Sequence, residues 1–474
     1  MGLNKIKNLI SISSVFITCS LSYGEHDSMI DYASFYHQHT EYLKNHPDAG
    51  YSIPNGFKLH ALPVGVMSTQ ANTTNHHFAA YQWSMYKPDA GIMLDEIPLN
   101  YAHKNQHDVY VAIIDTGTPY HYMKELDSKL NQKIGRHFWI DYQKLNEAKT
   151  EIGNPPDWDE MTDDINSVSD FDMTMEEIQL LQRGNSEFPD ELDSLDDGIP
   201  LVVDNHITDR GSYHGSHVAG IIGANGPYIH GVTGFDKHVK ILPIKALEDN
   251  GSGDTNAILE AVLWAAGSPE AKAGVNPNPA KVINLSLGMS RVDAGIDEFD
   301  WFLFVMPMMC HAWEYVVNEA NKMGSTVVIA AGNDGHELWN DIPSGCPNLN
   351  AIVVEATGPT GKRSFYSTYA SDNWFTKSTI IKAPGGDSKI DPENGKVLST
   401  VNGRYAFFQG TSMAAPHVSG IVALLYRINP SISYKQVASI LSRSYQENGV
   451  ISAKYAINLA QKELTIRVAS YDNL

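Results

Sequence analysis

Val109-Tyr110-Val111-Ala112-Ile113-Ile114, closed by Asp115-Thr116-Gly117, is a continuous apolar and β-rich run. A run of this kind suits a strand buried on both faces, as in a parallel sheet, better than a strand with one wet face. Similar runs recur at 239–244, 282–287, 326–331, 352–354 and 380–383. Helical patterning appears at 216–224, 256–266, 313–323, 412–426 and 433–444, with Asn429-Pro430 as a stop and restart between the last two. Strands alternating with helices predict an α/β fold of three layers, a mostly parallel sheet with helices on both faces. In such sheets the active site lies beyond the carboxyl ends of the strands.

The chain has 474 residues, 42% of them hydrophobic, enough to bury one large core with additions. Its formal charge of −21 argues against nucleic acid as a partner, because phosphates need a basic footprint. It argues equally against docking on an anionic membrane surface. Much of the charge sits in one stretch, 141–200, which holds 18 Asp and Glu against three Lys and Arg. That stretch is too long for an ordinary loop and reads as a surface insertion. Its Asp157, Asp159, Asp163 and Asp164 are candidate calcium ligands, but their spacing lacks the glycine of an EF-hand loop, which favours a solvated acidic loop.

The N-terminus reads as an export signal over 1–24. Lys5 and Lys7 precede an apolar run from Leu9 to about Thr18, and the small residues Ser22 and Gly24 follow where a signal peptidase would cut. The run is short for a bilayer span, which needs about 20 apolar residues. Lipidation at Cys19 is the rival reading, and the size of Thr18 before it favours cleavage. Secretion is therefore expected ahead of a periplasmic or lipid-anchored location, with no membrane contact once the signal is gone. Beyond the signal only Cys310 and Cys346 remain. Two cysteines in an exported chain suggest one disulfide, worth roughly 3–4 kcal/mol through loop entropy. Two separate buried thiols are the alternative.

Four segments carry chemistry. Asp115 ends a buried strand, where a carboxylate can accept an imidazole N–H and fix its tautomer. His214-Gly215-Ser216-His217-Val218-Ala219-Gly220 places His214 at the entrance of a helix whose small residues permit close packing. His217, one turn on, reads as a packing residue, and the His-Glu-x-x-His spacing of a helical zinc site is absent. Gly410-Thr411-Ser412-Met413-Ala414-Ala415-Pro416-His417-Val418-Ser419-Gly420 sets a serine at a helix N-terminus. There its hydroxyl is exposed and its backbone N–H is available to an oxyanion. Pro416 is expected to be tolerated as a first-turn residue. Asn333, in Ala330-Ala331-Gly332-Asn333-Asp334-Gly335, can donate a second hydrogen bond to the same oxyanion.

These strings, in the order Asp, His, Asn, Ser, resemble the subtilisin-like serine protease (subtilase) family from about Tyr81 to about Ala460, minus the acidic insertion. The resemblance implies Ser412 as nucleophile, His214 as general base and then acid, and Asp115 as the residue that orients it. Asn333 and the Ser412 N–H would form the oxyanion hole, and Ser286-Leu287-Gly288 would pair with extended substrate backbone. An ordinary strand end is the alternative for that last segment. The stretch from Cys310 to Cys346 looks like the exported bacterial branch, in which two cysteines flanking the Asn motif are paired.

The implied organisation is an N-terminal extension or short propeptide at 25–80, a peptidase domain at 81–465 and a tail at 466–474. The extension is short for the inhibitory module that family members often carry. Ser216 replaces the usual Thr, Tyr213 replaces a usual Gly, and Asp115 and His214 stand unusually far apart because of the insertion. The implied activity is endopeptidase cleavage of extended polypeptides by a monomer that needs no cofactor. Broad degradation is the first reading and narrow processing the second, with the insertion speaking for narrowness and for basic substrates. An inactive protease scaffold used for binding is the alternative from another class, and the competent residues at all four positions speak against it.

Overall fold

The computed structural model describes residues 58–61, 81–97, 101, 106–118, 125–126, 128–130, 134–138, 213–226, 229–247, 251–372, 374–392, 394–401 and 404–471. The export signal, the extension apart from 58–61, the acidic insertion with its four aspartates and the last residues of the tail lie outside the described residues.

Seven strands form the central sheet: β2 (Val109–Asp115), β3 (Arg136–His137), β4 (Val239–Lys245), β6 (Val282–Leu285), β8 (Thr326–Ala330), β10 (Ile352–Thr357) and β11 (Thr379–Pro384). Their order is β11-β10-β8-β6-β2-β4-β3, and each neighbouring pair runs parallel. Alternation along β2 divides its side chains between two cores. Val109, Val111 and Ile113 join Val218, Ile221 and Ile222 of α1 (His214–Gly223) and Val418, Ile421 and Val422 of α4 (Thr411–Ile428). Ala112 and Ile114 are as deeply buried, on the face where α2 (Thr255–Ala265) packs against β2 and α3 (Met306–Lys322) packs against β8 and α2. The expected three-layer α/β architecture is what forms.

All of α4 is buried, as a central helix must be when it lies between the sheet and the helices α1 and α6 (Ala453–Tyr471), with α5 (Tyr434–Leu441) between α4 and α6 in the chain. Its far end is held by the Arg427 Nε–Asp236 Oδ2 ion pair at 2.8 Å, and the Tyr101 hydroxyl donates to the same carboxylate. Burial pushes the Asp236 carboxyl up, but hydrogen bonds from Tyr101, Arg427 and the His238 backbone outweigh it and leave the group below its usual range.

The run 282–287 is not one strand. β6 stops at Leu285, and after Ser286 the chain enters β7 (Leu287–Ser290) in a second sheet of order β5-β1-β7-β9. There β1 is Lys58–Ala61, β5 is Ser252–Asp254 and β9 is Asp341–Ile342. The hairpin of β12 (Val397–Val401) and β13 (Arg404–Phe408) covers α1, where the Ser399 and Thr400 hydroxyls donate to the His217 and Ser216 carbonyls at 2.6 and 2.9 Å.

Cys310 of α3 and Cys346, four residues beyond β9, form a disulfide, so the alternative of two buried thiols is set aside. The crosslink ties α3 to the end of the segment that leaves β8 through Asn333. Within that segment the Ser344 hydroxyl donates to the Ala331 carbonyl at 2.7 Å.

Candidate active site

Asp115 is the last residue of β2, and His214 is the first of α1. His214 Nδ1 lies 2.9 Å from both Asp115 carboxylate oxygens, across a sequence separation of 99 residues, and both side chains are buried. A carboxylate can only accept, so Nδ1 carries the ring proton and Nε2 is the basic nitrogen. The pair is held from outside. The Thr116 N–H donates to Asp115 Oδ1 at 2.7 Å, and Thr116 Oγ1 accepts the Gly215 N–H at 3.1 Å. Gly215 is needed for this approach, since a Cβ there would sit 2.3 Å from the Gly117 carbonyl oxygen.

Ser412 is the second residue of α4. Its hydroxyl donates to the Ser286 carbonyl at 3.1 Å, and the Ser286 hydroxyl donates to the Ser412 carbonyl at 2.9 Å. This exchange explains Pro416, which lies beyond the first helical turn, contrary to the expectation above. Proline lacks the N–H that would bond the carbonyl four residues back, and that carbonyl belongs to Ser412. The Ser286 hydroxyl supplies the missing donor. Asn284 Nδ2 donates to Ser286 Oγ at 2.9 Å, and the Ser419 hydroxyl donates to Asn284 Oδ1 at 2.8 Å. The start of the helix is therefore fastened to the end of β6.

Asn333 reaches the same helix start. Its Oδ1 accepts both the Thr411 N–H and the Thr411 hydroxyl at 2.9 Å. Those two donors fix which end of the amide faces the helix, so Nδ2 is turned the other way as a donor. The Ser412 N–H, at the second helical position, has no intrahelical acceptor, and none of the described residues accepts it.

The Ser286-Leu287-Gly288 segment divides in two. Ser286 faces Ser412, while Leu287 and Gly288 pair with Ala61 and His60 of β1. On its other side β1 pairs antiparallel with β5, Lys58 to Asp254, Leu59 to Gly253 and His60 to Ser252. A short stretch of the chain's own extension thus lies as a strand between β5 and β7. Sequence reasoning passed over Thr116, Asn284, Thr411 and β5. The hydroxyls beside Asp115 and Ser412 were the available signal for two of them.

His217 is structural, as expected. It stacks on Phe408 with ring centroids 4.3 Å apart, and its Nε2 bonds the Ala406 carbonyl at 3.0 Å. His417 Nδ1 bonds the Met413 carbonyl at 2.8 Å. Burial pushes His217 down to about 3 and His417 down to about 4. Between pH 6.5 and those values the unfolded chain binds protons that the folded chain refuses, so stability falls as pH falls through this window. The slope is up to about 1.4 kcal/mol per pH unit for each histidine. Urea unfolding followed from pH 7 to pH 4 should show the loss, and His217→Gln with His417→Gln should make it shallower. An unchanged slope would assign the acid sensitivity elsewhere.

Among the described residues no three His, Cys, Asp or Glu cluster so as to hold a metal ion, and no helix is long and apolar enough to cross a membrane.

A buried Asp–His pair and a serine on a helix start with an asparagine amide beside it stand on a parallel α/β sheet. Residues 106–457 match the model of the subtilase family, and the chain belongs to that family of serine proteases. It is similar to an extracellular protease of Xanthomonas campestris, 33% identical over 46% of this chain and 33% of the relative. It is also similar to subtilisin Savinase of Lederbergia lenta, 30% identical over 61% of this chain and 90% of that one. The chain thus spans about a third of the length of the Xanthomonas relative. A solved protease structure from Pseudoalteromonas arctica shares the fold, with a TM-score of 0.54 and 24% identity over 82% of this chain and all of that one.

Proposed function

We propose that the chain is a secreted serine endopeptidase that cleaves extended polypeptides through an acyl-enzyme, with Ser412, His214 and Asp115 as triad. Ser412 Oγ turns from the Ser286 carbonyl, attacks the scissile carbonyl carbon and passes its proton to His214 Nε2. The oxyanion receives hydrogen bonds from the Ser412 N–H and Asn333 Nδ2. Collapse breaks the C–N bond, His214 returns the proton to the leaving amine, and the acyl group stays on Ser412. Water then attacks the ester with His214 again as base, releasing the acid and restoring the serine. No step calls for a cofactor, and one chain holds every group used.

The observation that carries this reading is the Asp115–His214 contact, made between a strand end and a helix start 99 residues apart and buried on both sides. Its test is digestion of unfolded casein by the purified protein beside a library of short peptides. Cleavage of casein at many sites supports broad degradation, and a few sites sharing one motif support narrow processing. A folded, fully processed protein that cleaves neither would overturn the reading.

The Lys58–Ala61 strand supports the mode of substrate binding, since a peptide entering between β5 and β7 gains main-chain hydrogen bonds on both edges. The same strand makes the extension an internal competitor, in keeping with a short propeptide. His60→Pro removes an N–H from this strand and should raise the initial rate of the unprocessed chain on a short peptide. Equal rates for parent and variant would show that the strand does not compete.

A further inference from the structure

β9 extends the substrate sheet by one strand, and it begins with a carboxylate. Ser290 of β7 pairs with Asp341, and Met289 pairs with Ile342. The Asp341 side chain turns under the oxyanion segment: a Cβ on Gly332 would lie only 2.4 Å from Asp341 Oδ1, and Gly332 directly precedes Asn333. Gly332 also has φ +125, so this close approach is reserved for glycine. Asp341 is 1% exposed. Its Oδ2 accepts the Thr368 hydroxyl at 3.2 Å, while its Oδ1 is buried with no hydrogen-bond partner.

The surroundings offer no charge compensation. None of the described lysines or arginines forms a salt bridge with Asp341, and the charges that act on it are Asp334 and Asp293. Burial, followed by Asp334, pushes its carboxyl well above the usual range. Arg291, the residue after β7, is engaged with Asn340 Oδ1 at 2.8 Å, the Ile296 carbonyl at 3.0 Å and Glu298 Oε1 at 3.7 Å. A buried carboxyl that lacks both a cation and a full set of donors is costly to ionise, and nothing in the triad or the oxyanion hole uses it.

Its position relative to a substrate follows from the register. In the direction of β1, His60 faces Gly288 and Ala61 faces Leu287. The next residue of a substrate strand in that register comes level with Ser286, whose carbonyl meets Ser412 Oγ. That residue contributes the scissile carbonyl. The Ala330–Asn333 segment stands beside that position through Asn333, and Asp341 Oδ1 lies against its Gly332. Asp341 itself pairs with Ser290, four residues along β7 from Ser286, so the approach runs past Gly332 and not along the sheet, and only a long side chain can make it. An apolar side chain of ordinary length would leave Oδ1 as it is, buried and unmatched.

We propose that Asp341 is the specificity-determining residue of this enzyme and selects lysine or arginine on the acyl side of the cleaved bond. The guanidinium or ammonium group would pair with Oδ1 and receive the field of Asp334 and Asp293, while the overall charge of −21 draws basic segments toward the cleft.

This inference rests on the protease reading and narrows it, so the test separates the two. Active sites are first titrated with a fluorophosphonate probe, and peptides that differ only in Arg, Lys, Leu or Phe before the cleaved bond are then compared per active site. The parent should favour Arg and Lys over Leu by about 10²–10³-fold in kcat/KM. Asp341→Asn should erase most of that preference, read as the ratio of kcat/KM for the Arg and Leu peptides, since the charged partner is lost. Benzamidine, a small cation, should compete with Arg peptides in the parent. That measurement and the parent profile need no variant, so they decide the matter even if Asp341→Asn does not fold. A parent that titrates fully yet prefers Leu or Phe would overturn the assignment of Asp341 and leave the protease reading standing. An Asn variant that loses Arg and Leu cleavage alike would reduce Asp341 to a structural residue. A folded parent that takes up no probe would overturn the protease reading, and this inference with it.

Discussion

Ser412→Ala is expected to lower kcat on a peptide substrate by about 10⁶-fold, a magnitude known for the nucleophile of subtilisin itself. The loss is large because, in the proposed mechanism, the serine, the imidazole and the carboxylate act as one unit. Without Oγ there is no atom to form the ester and no proton for His214 to accept, so the Asp115–His214 pair is left without a task. The double variant Ser412→Ala/His214→Ala should therefore be no slower than Ser412→Ala alone, and a further drop would show that the two residues work separately. Folding should be little affected. The substitution removes one hydrogen bond to the Ser286 carbonyl, worth about 1 kcal/mol, while the Ser286 hydroxyl still caps the Ser412 carbonyl freed by Pro416. Equal urea midpoints with activities so far apart would separate chemistry from stability.

Asn333→Ala is expected to lower kcat about 10²–10³-fold with little change in KM, because in the proposed oxyanion hole its amide meets charge that develops only as the carbonyl becomes tetrahedral. The Ser412 N–H remains and supports a residual rate. Thr411 supplies a finer test, since its N–H and its hydroxyl both donate to Asn333 Oδ1. Thr411→Val keeps the first donor and removes the second, so the amide loses one of the two bonds that fix its orientation. Activity should fall less than in Asn333→Ala, and the two changes combined should cost no more than Asn333→Ala alone. Steady-state kinetics on one peptide series measures all three variants. A raised KM with unchanged kcat would place Asn333 in ground-state binding and not in the oxyanion hole.

Much of this site could be read before any coordinates, for a physical reason. A strand buried on both faces is written as an unbroken apolar run, so 109–115 and its sheet neighbours were visible in the sequence, as was the helix that begins with Gly410-Thr411-Ser412. What stayed hidden depends on contacts between distant segments. The break at Ser286 lies inside an apolar run and becomes legible only once Ser412 is seen to exchange hydrogen bonds with it. Lys58–Ala61 is too short and too mixed to read as a strand, and its order comes from the edges of β5 and β7. α3 starts seven residues ahead of the expected 313, with Pro307 allowed in its first turn. α6 does carry an apolar stripe in Ala453, Ala456, Ile457 and Ala460, all buried, but such small side chains give a weak signal. Asp341 follows Asn340 in a polar stretch and reads as a turn residue, since nothing in the sequence reveals that Gly332 closes over it.

The most direct measurement is fluorophosphonate labelling of the folded, processed protein followed by peptide mass spectrometry, with Ser412→Ala beside it. A single adduct on Ser412, absent from the variant, is the expected result, because only a serine whose proton His214 can accept and whose oxyanion is held reacts at that rate. No adduct on a folded, processed protein, or an adduct on another residue that persists in Ser412→Ala, would contradict the assignment of the nucleophile and the mechanism built on it.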